Sequence, residues 1–249
     1  MICSALIACA AGFLAPSDFT TRIDNPYLPM RPGSRWVYRE TDTEGAAQRV
    51  VVKVTRRTKR IATGVTARVV RDTVTERGRL VEDTFDWFAQ DRAGNVWYFG
   101  EDTTEYEKRR QVSKAGSWEA GVDGARAGIV MLARPRPGRG YRQEHYPGEA
   151  EDRARVLSVD DQAEVPAGHF TGVLTTKDWN PLEPRVLEYK LYAKGVGLVL
   201  AVHVSGGSGR EELLRYERGG RPRSASSSSN RASGSSSSLP SSSRRRASR

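Results

Sequence analysis

Between residues 17 and 217 the apolar positions recur every second residue far more often than every 3.6. That is the spacing of side chains lining one face of a strand, not one stripe of a helix. Val50, Val52 and Val54 share one parity, as do Val81, Phe85 and Trp87, and Leu198, Leu200, Val202 and Val204. Leu187, Tyr189 and Leu191 alternate with Glu188 and Lys190. The segments Glu76-Arg77-Gly78-Arg79, Asp91-Arg92-Ala93-Gly94-Asn95 and Gly206-Gly207-Ser208-Gly209 separate such runs, and glycine supplies the positive φ of tight hairpins. The pattern predicts about ten strands, near 47–57, 65–76, 79–90, 95–100, 103–112, 152–160, 169–179, 185–193, 196–205 and 210–216. The expected fold is all-β: an antiparallel meander forming a strongly curved sheet, half-barrel or barrel, with at most one short helix, near 116–133. Residues 116–148, rich in glycine and centred on Arg134-Pro135-Arg136-Pro137-Gly138, break the rhythm. A loop of that length is expected to be functional or disordered.

Charge changes the picture only at one end. The chain carries 40 basic and 30 acidic residues, a net +10, but Arg218 to Arg249 holds eight arginines and no acid. The remaining residues 1–217 are close to neutral, so no basic face argues for specific nucleic-acid binding by the folded part. The 218–249 segment, dominated by serine, has almost nothing to bury and is expected to be a disordered tail.

Residues 1–16 read as an export signal or lipoprotein signal remnant. Met1 to Leu14 is apolar and uncharged, shorter than the roughly 20 residues of a spanning helix. It fits the apolar region of an export signal, although the positive n-region is missing. Leu6-Ile7-Ala8-Cys9 resembles a bacterial lipobox and marks Cys9 for lipidation. The expected location is extracytoplasmic, secreted or held to the membrane only through a lipid anchor. Both cysteines, Cys3 and Cys9, precede the body, which therefore has no disulfide framework and no cysteine zinc site.

Candidate chemistry gathers where aromatic rings and carboxylates meet glycine. Trp97-Tyr98-Phe99-Gly100-Glu101-Asp102 is expected at a strand end, Gly116-Ser117-Trp118-Glu119 and Asp123 in the glycine-rich stretch, and Glu144-His145 further along. Lys177-Asp178-Trp179-Asn180-Pro181 ends a strand, with Trp179 as a plug or lid of the sheet. The candidate ligand-binding residues are Trp97, Glu101, Asp102, Trp118, Glu119, Asp123, Glu144 and Trp179. Such a set suits a glycan, lipid or small molecule, or a hard cation such as Ca²⁺ that takes oxygen ligands. Strand aromatics are also ordinary core, and loop carboxylates are also ordinary turn residues. Adjacent strand residues face apart, so Glu144 and His145 do not act together. His203 has the parity opposite to Val202 and Val204 and is expected to face solvent, and His169 sits in a turn. No hydrolase elbow, phosphate loop or zinc helix motif is present. The leading expectation is a non-enzymatic binding protein. The alternatives are a glycan hydrolase using two of Glu101, Glu119, Asp123 and Glu144 as acid and base, and a domain stabilised by a divalent cation.

Two kinds of segment carry a resemblance. Asp24-Asn25-Pro26-Tyr27-Leu28-Pro29, Pro32-Gly33 and Trp36-Val37-Tyr38 resemble the opening of a group of exported bacterial β-rich proteins and lipoproteins without an assigned activity. Val165-Pro166-Ala167-Gly168-His169-Phe170 and Tyr192-Ala193-Lys194-Gly195-Val196-Gly197 resemble hairpins of TapB-like periplasmic domains, departing from them at His169 and Lys194. The likeness spans residues 19–216. It implies an envelope protein with a curved antiparallel sheet, and no catalytic residues.

Overall fold

Strand-forming runs joined by tight glycine turns leave the chain little choice but to pair each strand with the next. The computed structural model describes residues 14–41 and 46–220. The apolar run from Met1 to residue 13, with Cys9 in it, and the tail from residue 221 lie outside the described residues. Sixteen strands follow in order: β1 (Phe19–Thr20), β2 (Arg35–Thr41), β3 (Ala47–Arg60), β4 (Thr66–Glu76), β5 (Arg79–Asp91), β6 (Val96–Glu107), β7 (Arg110–Ser113), β8 (Trp118–Glu119), β9 (Arg126–Met131), β10 (Gly140–Arg142), β11 (Glu144–His145), β12 (Arg153–Val165), β13 (Gly168–Trp179), β14 (Leu187–Ala193), β15 (Gly197–Ser205) and β16 (Arg210–Glu217). The one helical element among the described residues is a 3-10 turn at Pro16–Asp18.

The fold is an all-β, nearly closed antiparallel barrel. Thirteen strands lie on one path, β10-β12-β13-β14-β15-β16-β2-β3-β4-β5-β6-β9-β11, with β1, β7 and β8 added beside β5 and β6. The two ends of that path, β10 and β11, are separated in the chain by Gln143 alone. One short bent strand therefore pairs with β12 through its first half and with β9 through its second. Gly128 on β9 is what lets the seam close, because a Cβ there would overlap the Gln143 carbonyl.

The strand count exceeds the ten expected from the sequence, and the difference lies mainly in 116–148. That stretch holds β8 to β11, and the helix expected near 116–133 is replaced by β8 and β9. Its strands are two to six residues long, too short to show a period. The expected break after Gly100 is also absent, since β6 runs straight through it. Gly100 instead marks the close approach of β8, where a Cβ would overlap the Trp118 carbonyl.

One end of the barrel is closed. Segment 23–32 crosses it, held by Asn25, whose Nδ2 donates to the Gly94 and Leu132 carbonyls at 2.9 and 3.1 Å. On the far side Gly195 N donates to Pro26 O at 2.7 Å, and Trp36 Nε1 to Val196 O at 2.8 Å. Ile23, Tyr27, Met30 and Trp36 are buried there in the main apolar cluster with Val54, Val70 and Leu213. A second cluster, around Trp87, Tyr98, Phe99 and Trp118, packs β4 to β6 under residues 61–65 and 118–125.

Candidate ligand-binding site

Above the closed end the barrel is hollow. A cavity of about 260 Å³ is walled by apolar side chains, among them Trp36, Val52, Val70, Phe88 and Leu198, and reaches Asp72, Lys190 and Glu211. A second, of about 520 Å³, begins at the same Asp72 and Glu211 and is lined further out by Glu40, Glu82, Glu105 and Glu107. Asp72 and Glu211 thus form a collar between an apolar floor and an acidic mouth.

The collar follows from strand alternation. Residues two apart share a face, so Trp36 and Tyr38 lead to Glu40, Val70 and Val74 flank Asp72, and Leu213 leads to Glu211. Pairing then sets acid against acid: Glu40 opposite Glu211, Glu82 opposite Glu105, and Asp86 opposite Glu101. Like charges directly opposite destabilise a sheet. The outer face of the same strands obeys the usual rule, with Arg39 to Glu212 at 2.6 Å and Arg71 to Asp83 at 2.7 Å. The inner face accepts a cost that the outer face avoids.

Burial and mutual repulsion keep the inner carboxyls protonated to unusually high pH. Burial first, then Glu82 and Glu40, pushes Asp72 up to about 7. Burial, then Asp72 and Glu40, pushes Glu211 up to about 8. Glu144 rises to about 8 through burial, Asp152 and Glu101. Asp86 is raised by burial and by Glu101, although Tyr98 Oη donates to its Oδ1 at 2.8 Å. Among the described residues one cation serves this face: Lys190 Nζ lies 3.2 Å from Glu188 and 3.7 Å from Asp178. Burial pulls the Lys190 ammonium down, but Glu188, Asp178, Tyr192 and Asp152 together carry it above its usual range. Asp178 is further held by Gln143 Nε2, at 3.0 Å, and by the Thr176 hydroxyl. Asp72 takes a hydrogen bond from the Thr73 backbone amide, but its buried Oδ1 accepts none.

The residues singled out from the sequence do not form one site. Glu101 faces inward, accepting from the Thr103 hydroxyl at 3.2 Å, and it and Glu144 both act on Tyr98. Trp118 is buried edge-on against Tyr98, with ring centroids 5.5 Å apart, and its Nε1 has no hydrogen-bond partner. Trp97 donates to Asp91 at 2.8 Å and packs on Phe19. Asp102 is exposed and pairs with Lys114. Glu119 accepts from Ala62 N at 2.8 Å and pairs with Lys59 at 3.0 Å. Asp123 is exposed in a turn at φ 48°. Trp179 lines a separate cleft with Arg155, Pro184 and Leu187, on the face of β13 opposite to Asp178. Glu101 and Glu144 are therefore the two candidates brought together.

The histidines also settle into structural places. His145 contacts Arg126 and Arg142, which with burial hold its imidazole below the usual range. His203 is half-buried instead of solvent-facing, with an enclosed Nδ1 and Nε2 3.8 Å from Glu188. His203 stands opposite Glu188, next to a register shift between Leu187 and Glu188. Among the described residues, no group of three or more His, Cys, Asp or Glu could hold a metal ion. The collar residues Asp72, Glu211 and Lys190 escaped the sequence reading because a polar residue was assigned to the outer face. The available signal was an acid standing at the parity of its strand's apolar residues, as in Val70-Asp72-Val74.

No family model matches the chain, and no curated protein matches it. The likeness to TapB-like domains thus rests on the quoted segments alone. Among solved structures, one described as a “putative lipoprotein” from Parabacteroides distasonis is similar over 78% of this chain and 99% of that chain, with 13% identity and a TM-score of 0.44.

Proposed function

We infer that this protein is an extracytoplasmic binding protein that holds a small amphiphilic molecule inside its barrel. The observation that carries the reading is the two-part lumen: an apolar compartment of about 260 Å³ closed at its base, opening through the Asp72–Glu211 collar into a wider acidic mouth. Binding cavities are concave and mostly apolar, with few polar groups to orient the ligand, and the lower compartment has that composition. An apolar wall favours a lipid-like or other small molecule over a glycan, which would need the exposed aromatic platform that Trp97, Trp118 and Trp179 do not form. Export is supported by the apolar Met1–Leu14 run, and Cys9 would supply a membrane attachment.

The test is native mass spectrometry of the exported full chain beside a Val70→Phe variant, which fills the lower compartment. The expected result is a small molecule carried by the wild type and lost from the folded variant. Retention of the same molecule by the filled variant would refute lumen binding. A hydrolase would have to use Glu101 and Glu144, and a turnover assay on envelope glycans with Glu144→Gln addresses it directly.

A further inference from the structure

We propose that the occupant of the lumen carries an ammonium group, seated at the collar between Asp72 and Glu211 with its apolar body against Trp36, Val52 and Phe88. This rests on the lumen reading and names the ligand's class. Asp72 lines both compartments, and its Oδ1 is buried and accepts no hydrogen bond. Once ionised, a carboxylate oxygen is an acceptor only, and a buried polar atom without a partner costs about 1–3 kcal/mol. The Thr73 backbone amide reaches Asp72, but what the collar lacks is a cationic donor.

The surrounding groups cannot supply one with positive charge. Those that act on Asp72 and Glu211 are Tyr38 and Glu40 of β2, Glu82 and Asp86 of β5, Glu101 of β6, and Glu188 and Lys190 of β14. Lys190 alone is cationic, and its ammonium is already placed beside Glu188 and Asp178. A divalent metal is poorly matched, since no three ligating side chains converge among the described residues. An alkylammonium matches on each count. It brings three donors and one charge, and its chain needs the apolar compartment below. The carboxylates of the mouth would raise the local concentration of a cation. The raised carboxyls add a linkage: a bound ammonium favours their ionised form, so binding at neutral pH releases protons.

Size sets the probe. About 260 Å³ is the liquid volume of roughly nine waters at about 30 Å³ each, which suits a body of about eight carbons. Isothermal titration at pH 7 with octylamine, 1-octanol and octanoate separates the outcomes. The expected result is octylamine binding at least tenfold tighter than octanol, with proton release. In Asp72→Asn/Glu211→Gln that preference should vanish while octanol affinity is kept. The double variant should fold, because it removes like-charge repulsion; its melting temperature checks this. Equal binding of octylamine and octanol, or preference for octanoate, would overturn the ammonium and leave lumen binding standing. No binding by any of the three, together with no ligand lost on filling the cavity by Val70→Phe, would overturn both.

Discussion

Raising the pH from 5 to 8.5 should destabilise this barrel, and the inner carboxyls say by how much. An acid whose pKa is higher in the folded than in the unfolded state binds more protons when folded, so its contribution is full below the unfolded value. It declines as pH rises and is lost above the folded value. For Glu211 that window runs from 4.5 to about 8, for Glu144 likewise, and for Asp72 from 3.8 to about 7. One pKa unit corresponds to about 1.4 kcal/mol. The lumen admits water, so the fully desolvated figure for any one of these groups is an upper limit. Roughly 2–5 kcal/mol lost across the window is a reasonable magnitude for the set. At about 2–4 °C per kcal/mol for a domain of this size, the melting temperature should fall by roughly 5–15 °C between pH 5 and 8.5. His145, held low by burial and two arginines, works in the opposite sense below pH 6.5, but it lies near the surface and contributes little. Differential scanning fluorimetry in constant-ionic-strength buffers is the assay, and Glu211→Gln is the control. The variant should show a shallower slope and melt higher than wild type at pH 8.5. A flat or rising profile in wild type, or an unchanged slope in the variant, would refute the assignment of these carboxyls to a costly inner face.

Three further outcomes follow from packing. Gly128→Ala should cost about 2–4 kcal/mol in urea melts, because the new Cβ overlaps the Gln143 carbonyl at the seam. Full stability in this variant would show that the seam yields freely. Asn25→Ala should cost about 2–4 kcal/mol, since it strips the Gly94 and Leu132 carbonyls and the Tyr27 amide of their partner at once; a loss under 1 kcal/mol would mean the closed end is held by its apolar side chains alone. Phe170→Ala should cost about 1–3 kcal/mol through lost packing on the main cluster while octylamine affinity, read by titration, stays put. Parallel loss of affinity would tie the β12–β13 hairpin to the lumen.

The parts of the fold legible in the sequence are those where one face is dry. Val50-Val52-Val54 and the turn at Arg77-Gly78 place β3 to β5 within a residue or a few of their observed ends. The seam was illegible because its strands are too short for alternation, and Gly128 is informative only once its partner is known. The lumen was misread for a different reason. Leu187, Tyr189 and Leu191 look like the inward face of β14, yet Lys190 and Tyr192 line the cavity. In a barrel with a wet interior polarity no longer separates inside from outside, and register must do so. The aromatic and carboxylate segments drew notice by composition, but Asp102, Glu119 and Asp123 are bound to lysine or turned to solvent.

Cohesion around the ring is uneven. Strands β3 and β4 are joined by ten residue pairs, whereas the bent closing strand is held by three pairs on one side and two on the other. Under heat or load the circle should part there first, as a split sleeve does along its cut, and the amides of 141–145 should exchange with deuterium well ahead of those of β3. A guest too broad for the acidic rim then has a lateral way in, along a slit that unzips without disturbing the long hairpins.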